Sequence, residues 1–226
     1  SSMTSPETPH PSPLLPNWRE ANVPDGFSVS AVGDVICTEA VGPRIRRQSP
    51  ELVDFLGTAD VVFGNFEGTS FDLGRFAGYP EALSGGGWLL GSARVPADLA
   101  GLGFNLMSRA NNHTTDWGVA GMRATDALLD EAGIVHAGTG ETLAQARAAA
   151  VLSLPGARVS LVSFASRFEA NARAIDAVGQ VPARPGLSAL RATRHAMVSP
   201  EQLEQLRKIR DSQPRGSVRA SVTSQG

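Results

Sequence analysis

Three short apolar runs, each cut off by a polar cluster and each followed by a helix-like stretch, limit most strongly what this chain can fold into. The first, Phe27-Ser28-Val29-Ser30-Ala31-Val32, alternates at period two and stops at Gly33-Asp34, which predicts a strand. The second, Asp60-Val61-Val62-Phe63, is β-branched and apolar and reads as a buried strand; Phe104-Asn105-Leu106-Met107 reads as a third. Between them, Pro50 to Leu56 predicts a helix with Ser49 as N-cap, and Pro96 to Leu102 a helix closed by Gly103. From Trp117 to Glu131 the apolar positions Met122, Leu129 and Ala132 fit one helical face that Gly133 ends, and Ile134-Val135 restarts a strand. Strands alternating with helices predict an α/β layered sheet, parallel in its first part, with the site beyond the carboxyl ends of the strands.

The remaining stretches are plainer. Residues 68 to 94 are glycine-rich and aperiodic, including Gly85-Gly86-Gly87, and predict a long surface excursion of the kind that often carries function. Leu143 to Ala149 predicts a short helix, Val151–Leu154 and Val159–Phe164 a hairpin around Pro155-Gly156, and Pro200 to Ile209 a last helix capped by Ser199. Residues 1 to 26, rich in Pro, Ser and Thr, and residues 212 to 226 bury little and read as a flexible arm and tail. One continuous domain is expected over 27–211.

Three polar clusters fall at the three strand ends: Gly33-Asp34, Gly64-Asn65-Phe66-Glu67, and Arg109 through Asp116. Consecutive strand–helix units set these ends side by side, so two carboxylates, an amide and an imidazole converge. Such a mix suits Mn, Fe, Zn or Mg better than a structural zinc site, which would want cysteines. Each residue also has a plain structural reading. Asp34 could be a turn or cap residue, Glu67 a solvated loop residue, Asn111 and Asn112 turn formers. Asp116 could cap the helix that follows, and His113 could be a hydrogen-bonded structural histidine. Arg109 could steady a phosphate or pair with Asp116. Gly138-Thr139-Gly140 suits a tight turn better than an anion cradle, and Trp88 and Trp117 suit either a pocket or burial. Only the joint pattern favours chemistry.

Composition excludes rather than selects. Twenty Lys and Arg against 22 Asp and Glu leave a net charge of −2, no basis for binding nucleic acid or an anionic membrane. The lone Cys37 cannot form an intrachain disulfide and reads as a buried small apolar residue. No apolar run approaches the roughly 20 residues that span a bilayer. As it stands the chain reads as cytoplasmic; with an export signal or anchor outside these residues it would be extracytoplasmic, and any membrane contact would come from that segment.

These motifs carry a family resemblance. Gly33-Asp34-Val35-Ile36, Ala59 through Glu67, and Ala110-Asn111-Asn112-His113-Thr114-Thr115-Asp116-Trp117-Gly118 resemble the CapA family of capsule synthesis and poly-γ-glutamate (PgsA-type) biosynthesis proteins. Ala132-Gly133-Ile134, Ala137 through Glu141 and Arg184-Pro185-Gly186-Leu187 extend the likeness, which runs from about 27 to 210. That family is similar to calcineurin-like metallophosphoesterases, implying a layered αββα sandwich of which this chain holds the N-terminal part. The resemblance implies Asp34, Glu67 and Asn112 as metal ligands and His113 as the catalytic group. Arg109, Asn65 and Asn111 are assigned to binding a phosphorylated or anionic, polymer-related substrate. It implies a divalent metal, one ion or two, or none in a chain this poor in ligands: there are four histidines, and none lies in the family's later histidine motifs. The expected function is metal-dependent phosphoester hydrolysis in capsule or poly-γ-glutamate assembly. The alternatives are a non-catalytic accessory component or a small-molecule hydrolase. A half-sandwich would expose the inner face of its sheet, so a homo-oligomer or a partner chain is expected to cover it.

Overall fold

The computed structural model describes residues 23–83, 88–193 and 195–213. Most of the expected arm, Gly85-Gly86-Gly87 and most of the expected tail lie outside these residues. In chain order the elements are β1 (Val29–Val35), α1 (Gly42–Gln48), α2 (Pro50–Gly57), β2 (Val61–Phe66), β3 (Thr69–Ser70), β4 (Leu90–Gly91), α3 (Val95–Gly101) and β5 (Leu106–Ser108). They continue as α4 (Gly118–Glu131), β6 (Val135–Ala137), β7 (Thr139–Gly140), α5 (Leu143–Arg147), β8 (Ala150–Leu154), β9 (Ala157–Leu161), β10 (Gly186–Leu187) and α6 (Pro200–Ser212).

The fold is α/β around a four-stranded sheet ordered β1-β2-β5-β6, with every pair parallel. One face packs on the helices: Val62, Phe66, Phe104 and Met107 meet Leu56, Val95, Leu99 and Leu129. This apolar layer is continuous, as burial on both sides of a parallel sheet requires. The other face was expected to lie open. Instead the β8–β9 hairpin folds back over it, and Leu152, Leu154, Val159 and Leu161 cover Val61, Phe63, Leu106 and Val135. The open part shrinks to the edge strand β1, where Val29 remains 58% exposed.

Several elements differ from expectation for identifiable reasons. β1 does not stop at Gly33-Asp34 but runs on to Val35, with an extra residue: Ala31 pairs with Phe63 and Asp34 with Asn65. That bulge turns both Val32 and Val35 toward Gly64, where an added Cβ would lie 3.2 and 2.8 Å from their methyls. α1 was not expected, because its only large apolar residue is Ile45. It is held from afar: the Asp98 carboxylate accepts from the Val41 and Gly42 amides, each at 2.7 Å. The 68–94 excursion is not wholly superficial, since β3 and β4 pair within it and Thr69, Ser70 and Phe71 are buried. Ser49 makes no side-chain cap to α2. Ser199 does cap α6, in a reciprocal capping box with Gln202. α6 belongs to a separate compact unit that begins at Arg191, and it buries none of its own residues.

Candidate functional site

β1, β2 and β5 end side by side, and each delivers one of the three polar clusters. The bulge in β1 brings Asp34 into register with Asn65. Asn65 Nδ2 donates to Asp34 Oδ1 at 2.8 Å, and Asn65 Oδ1 accepts from Asn111 Nδ2 at 3.1 Å. Asn111 also donates to the Phe66 carbonyl at 2.9 Å and accepts the His113 amide at 3.0 Å. Thr114 is fully buried and closes the turn, its hydroxyl donating to the Arg109 carbonyl at 2.6 Å.

The side chains of Asp34 and Glu67 lie close enough to shift one another's acidity. The Asn65 hydrogen bond, and then the neighbouring Glu67 side chain, hold Asp34 below the usual carboxylate range. Burial, and then the neighbouring Asp34 carboxylate, push Glu67 up. Of the two carboxyls, Glu67 is thus the weaker acid. Because its pKa is raised in the fold, Glu67 contributes stability while protonated, and that contribution is lost as pH rises through the raised value. Glu67→Gln sets no charge beside Asp34, so the metal-free variant is expected to melt higher than wild type at pH 7. A thermal scan checks this.

His113 and Glu67 face one another, with Nε2 and Oε1 3.6 Å apart. The other ring nitrogen, Nδ1, lies 2.7 Å from Asp116 Oδ2. Burial raises the pKa of Asp116, opposed by the His113 bond. Asp116 was expected to cap α4, but the N-cap position falls on Trp117, which makes no side-chain cap. Asp116 instead ties the glycine-rich segment to the site. Its carboxylate accepts from Leu89 N at 2.9 Å, and its carbonyl from the Glu81 and Ala82 amides.

The sequence-derived residues fare differently. Asp34, Glu67 and His113 meet. Asn112 sits exposed in the same turn, while its neighbour Asn111 is buried in the network. Arg109 faces neither solvent nor Asp116. Its side chain is fully buried, Nε bonds Asp126 Oδ1 at 2.9 Å, and Nη1 donates to the Gly68 carbonyl at 2.9 Å. Asp126 and Ser163 were missed. Ser163 Oγ meets Ser108 Oγ at 2.8 Å and accepts from Ala110 N at 3.1 Å. Neither had a local signal, since each reaches the site from a distant element. Trp117 joins Phe71 and Phe76 in an aromatic cluster, and Trp88 is 54% exposed. Cys37 is half-buried against the core, and His195 is exposed. A cleft of about 540 Å³ lies further along the same connections, between Thr38, Asp72, Ser92 and Arg94; none of the four central residues lines it.

Asp34 and Glu67 offer the oxygen donors that a hard divalent ion would prefer, and a cation beside them would relieve their repulsion. Among the described residues, no three His, Cys, Asp or Glu side chains gather as a ready-made metal cage. Amide and water oxygens would have to complete the shell.

Comparison with known proteins agrees with these motifs. A family model described as bacterial capsule synthesis protein PGA_cap matches residues 28–220. Two uncharacterized proteins of Sinorhizobium fredii, y4uA and y4sH, are each 49% identical over 193 residues, covering 85% of this chain and 42% of theirs. The capsule biosynthesis protein CapA of Bacillus anthracis is 28% identical over 151 residues, covering 65% of this chain and 36% of its own. The chain thus spans about two fifths of the length of the curated relatives it matches.

Proposed function

The chain belongs to the bacterial capsule synthesis protein PGA_cap family, and from that membership we propose that it serves capsule synthesis through a divalent-metal-dependent phosphoester-hydrolysing site. Asp34, Glu67 and Asn112 are the proposed ligands and His113 the proposed proton donor. The observation that carries this reading is the meeting of Asp34, Glu67 and His113 at adjacent parallel strand ends.

A bound divalent ion would supply Lewis acidity and a water activated at neutral pH. The chain's own residues do the rest. Asp34 and Glu67 present negative charge from two rigid strands, and Asn112 adds a neutral amide oxygen. Asp116 holds His113 by Nδ1, which leaves Nε2 on the Glu67 side to carry a proton to a departing oxygen. Asp116 touches no substrate in this scheme; it positions His113.

Incubation with Mn²⁺ and bis(p-nitrophenyl) phosphate tests the proposal. Turnover that disappears in Asn112→Ala and His113→Ala supports it; a metal-loaded protein without turnover overturns the catalytic part. Asp116→Asn is expected to lower turnover about 10–100-fold, with Mn²⁺ affinity unchanged. A second reading, an accessory component that binds without catalysis, is favoured by the small donor set, in which His113 is the only imidazole. Metal uptake without hydrolysis would select it.

A further inference from the structure

We infer that Asn65 and Asn111 are positioning residues rather than substrate contacts, forming a one-directional amide relay that fixes Asp34 from the His113 turn. The inference rests on the metal-site reading above. The His113 amide donates to Asn111 Oδ1 at 3.0 Å. Asn111 Nδ2 donates to Asn65 Oδ1 at 3.1 Å, and Asn65 Nδ2 donates to Asp34 Oδ1 at 2.8 Å. Every bond runs the same way, toward Asp34, and the relay crosses the ends of β5, β2 and β1 in turn.

The chemistry of the ends sets that direction. An ionised carboxylate can only accept, so Asn65 must turn its NH₂ group toward Asp34. Its oxygen then faces Asn111, which must donate. The backbone amide of His113 must find an acceptor, and the Asn111 oxygen supplies it. Flipping either amide would set two donors or two acceptors face to face at one end. Bonds aligned head to tail polarise one another, and burial strengthens them. Asn111 is 7% exposed and has both N–H groups committed, one to Asn65 and one to the Phe66 carbonyl. It keeps no donor for a substrate.

The relay gives Asp34 what its location lacks. Asp34 is an exposed residue on an edge strand, where its carboxylate would otherwise rotate freely. One fixed oxygen leaves the remaining lone pairs aimed at a constant place, which a metal ligand needs and a surface aspartate does not have.

Asn65→Leu removes the amide at nearly constant shape. The full chain is titrated with Mn²⁺ by calorimetry, and side-chain amide hydrogen exchange at Asn111 is followed by NMR. The expected result is Mn²⁺ affinity about 10–100-fold weaker, faster exchange at Asn111, and unchanged exchange in the β5–β6 backbone. Asn65→Ala serves if the leucine variant fails to fold. Wild-type affinity in a variant with Asn111 unprotected overturns the positioning role. If the wild type takes up no Mn²⁺, the metal reading fails by itself, and the relay is decided by exchange alone. An Asn111 amide protected in wild type and released in the variant sustains it; an amide unprotected in wild type overturns it.

Discussion

Arg109→Leu is expected to destabilise the protein by about 3–5 kcal/mol, the cost of stripping one partner from a buried ion pair. The guanidinium is wholly enclosed, paired through Nε with Asp126 at 2.9 Å and lying 5.4 Å from the Phe66 ring centroid. It also satisfies the Gly68 carbonyl at 2.9 Å. Leucine would leave the Asp126 carboxylate, itself only 19% exposed, without a counter-charge and that carbonyl without a donor. Lysine would not serve, because one ammonium cannot span the fork that reaches both Asp126 and Gly68. The double variant Arg109→Leu, Asp126→Leu is expected to recover much of the loss, since removing both charges removes the stranded one. Urea unfolding of the three variants checks this. An exposed, phosphate-binding Arg109 would predict a loss near zero.

The second large effect is expected at Gly138. Its φ is +114°, and an added Cβ would lie 2.5 Å from Ser163 Oγ and 2.6 Å from the Ala110 nitrogen. One of those atoms is backbone, so it cannot swing aside, and the Ser163–Ala110 bond would have to break. Gly138→Ala is expected to cost roughly 2–4 kcal/mol, from strain and overpacking together. Because Ala110 leads directly into Asn111 and His113, metal affinity should fall as well. Gly133→Ala is the control: φ is +73°, but nothing lies within 4 Å of the added Cβ. That substitution is expected to cost about 1–2 kcal/mol and to leave the site alone. Equal losses at the two glycines would mean that conformational strain, not the Ser163 contact, is what Gly138 relieves.

What the sequence revealed was what local periodicity encodes. The three parallel strands, the helix from Gly118, and the stops at Gly103 and Gly133 all follow from patterns a few residues long. The gathering of Asp34, Glu67 and His113 was legible because consecutive strand–helix units place their ends together. What escaped depends on contacts far apart in the chain. α1 is capped by an aspartate 57 positions away from Val41. The β1 bulge exists only relative to β2, and the alternation of Phe27 to Val32 does not announce it. Arg109 and Asp116 were read with the wrong partners because each had a plausible neighbour in sequence. Their real partners, Asp126 for one and His113 with the Leu89 amide for the other, are chosen by packing. The covering of the sheet's inner face by β8–β9 was missed for the same reason: a hairpin is visible locally, but the face on which it lands is not.

The central claim is that Asp34 and Glu67 hold a divalent cation, and calorimetric titration of the full chain with Mn²⁺ at pH 7 tests it most directly. The account predicts saturable uptake, because a divalent ion relieves the crowding of the two carboxylates. It also predicts that Asp34→Asn and Glu67→Gln abolish that uptake while both variants stay folded. No saturable uptake in the wild type, or undiminished uptake in both variants, would contradict it.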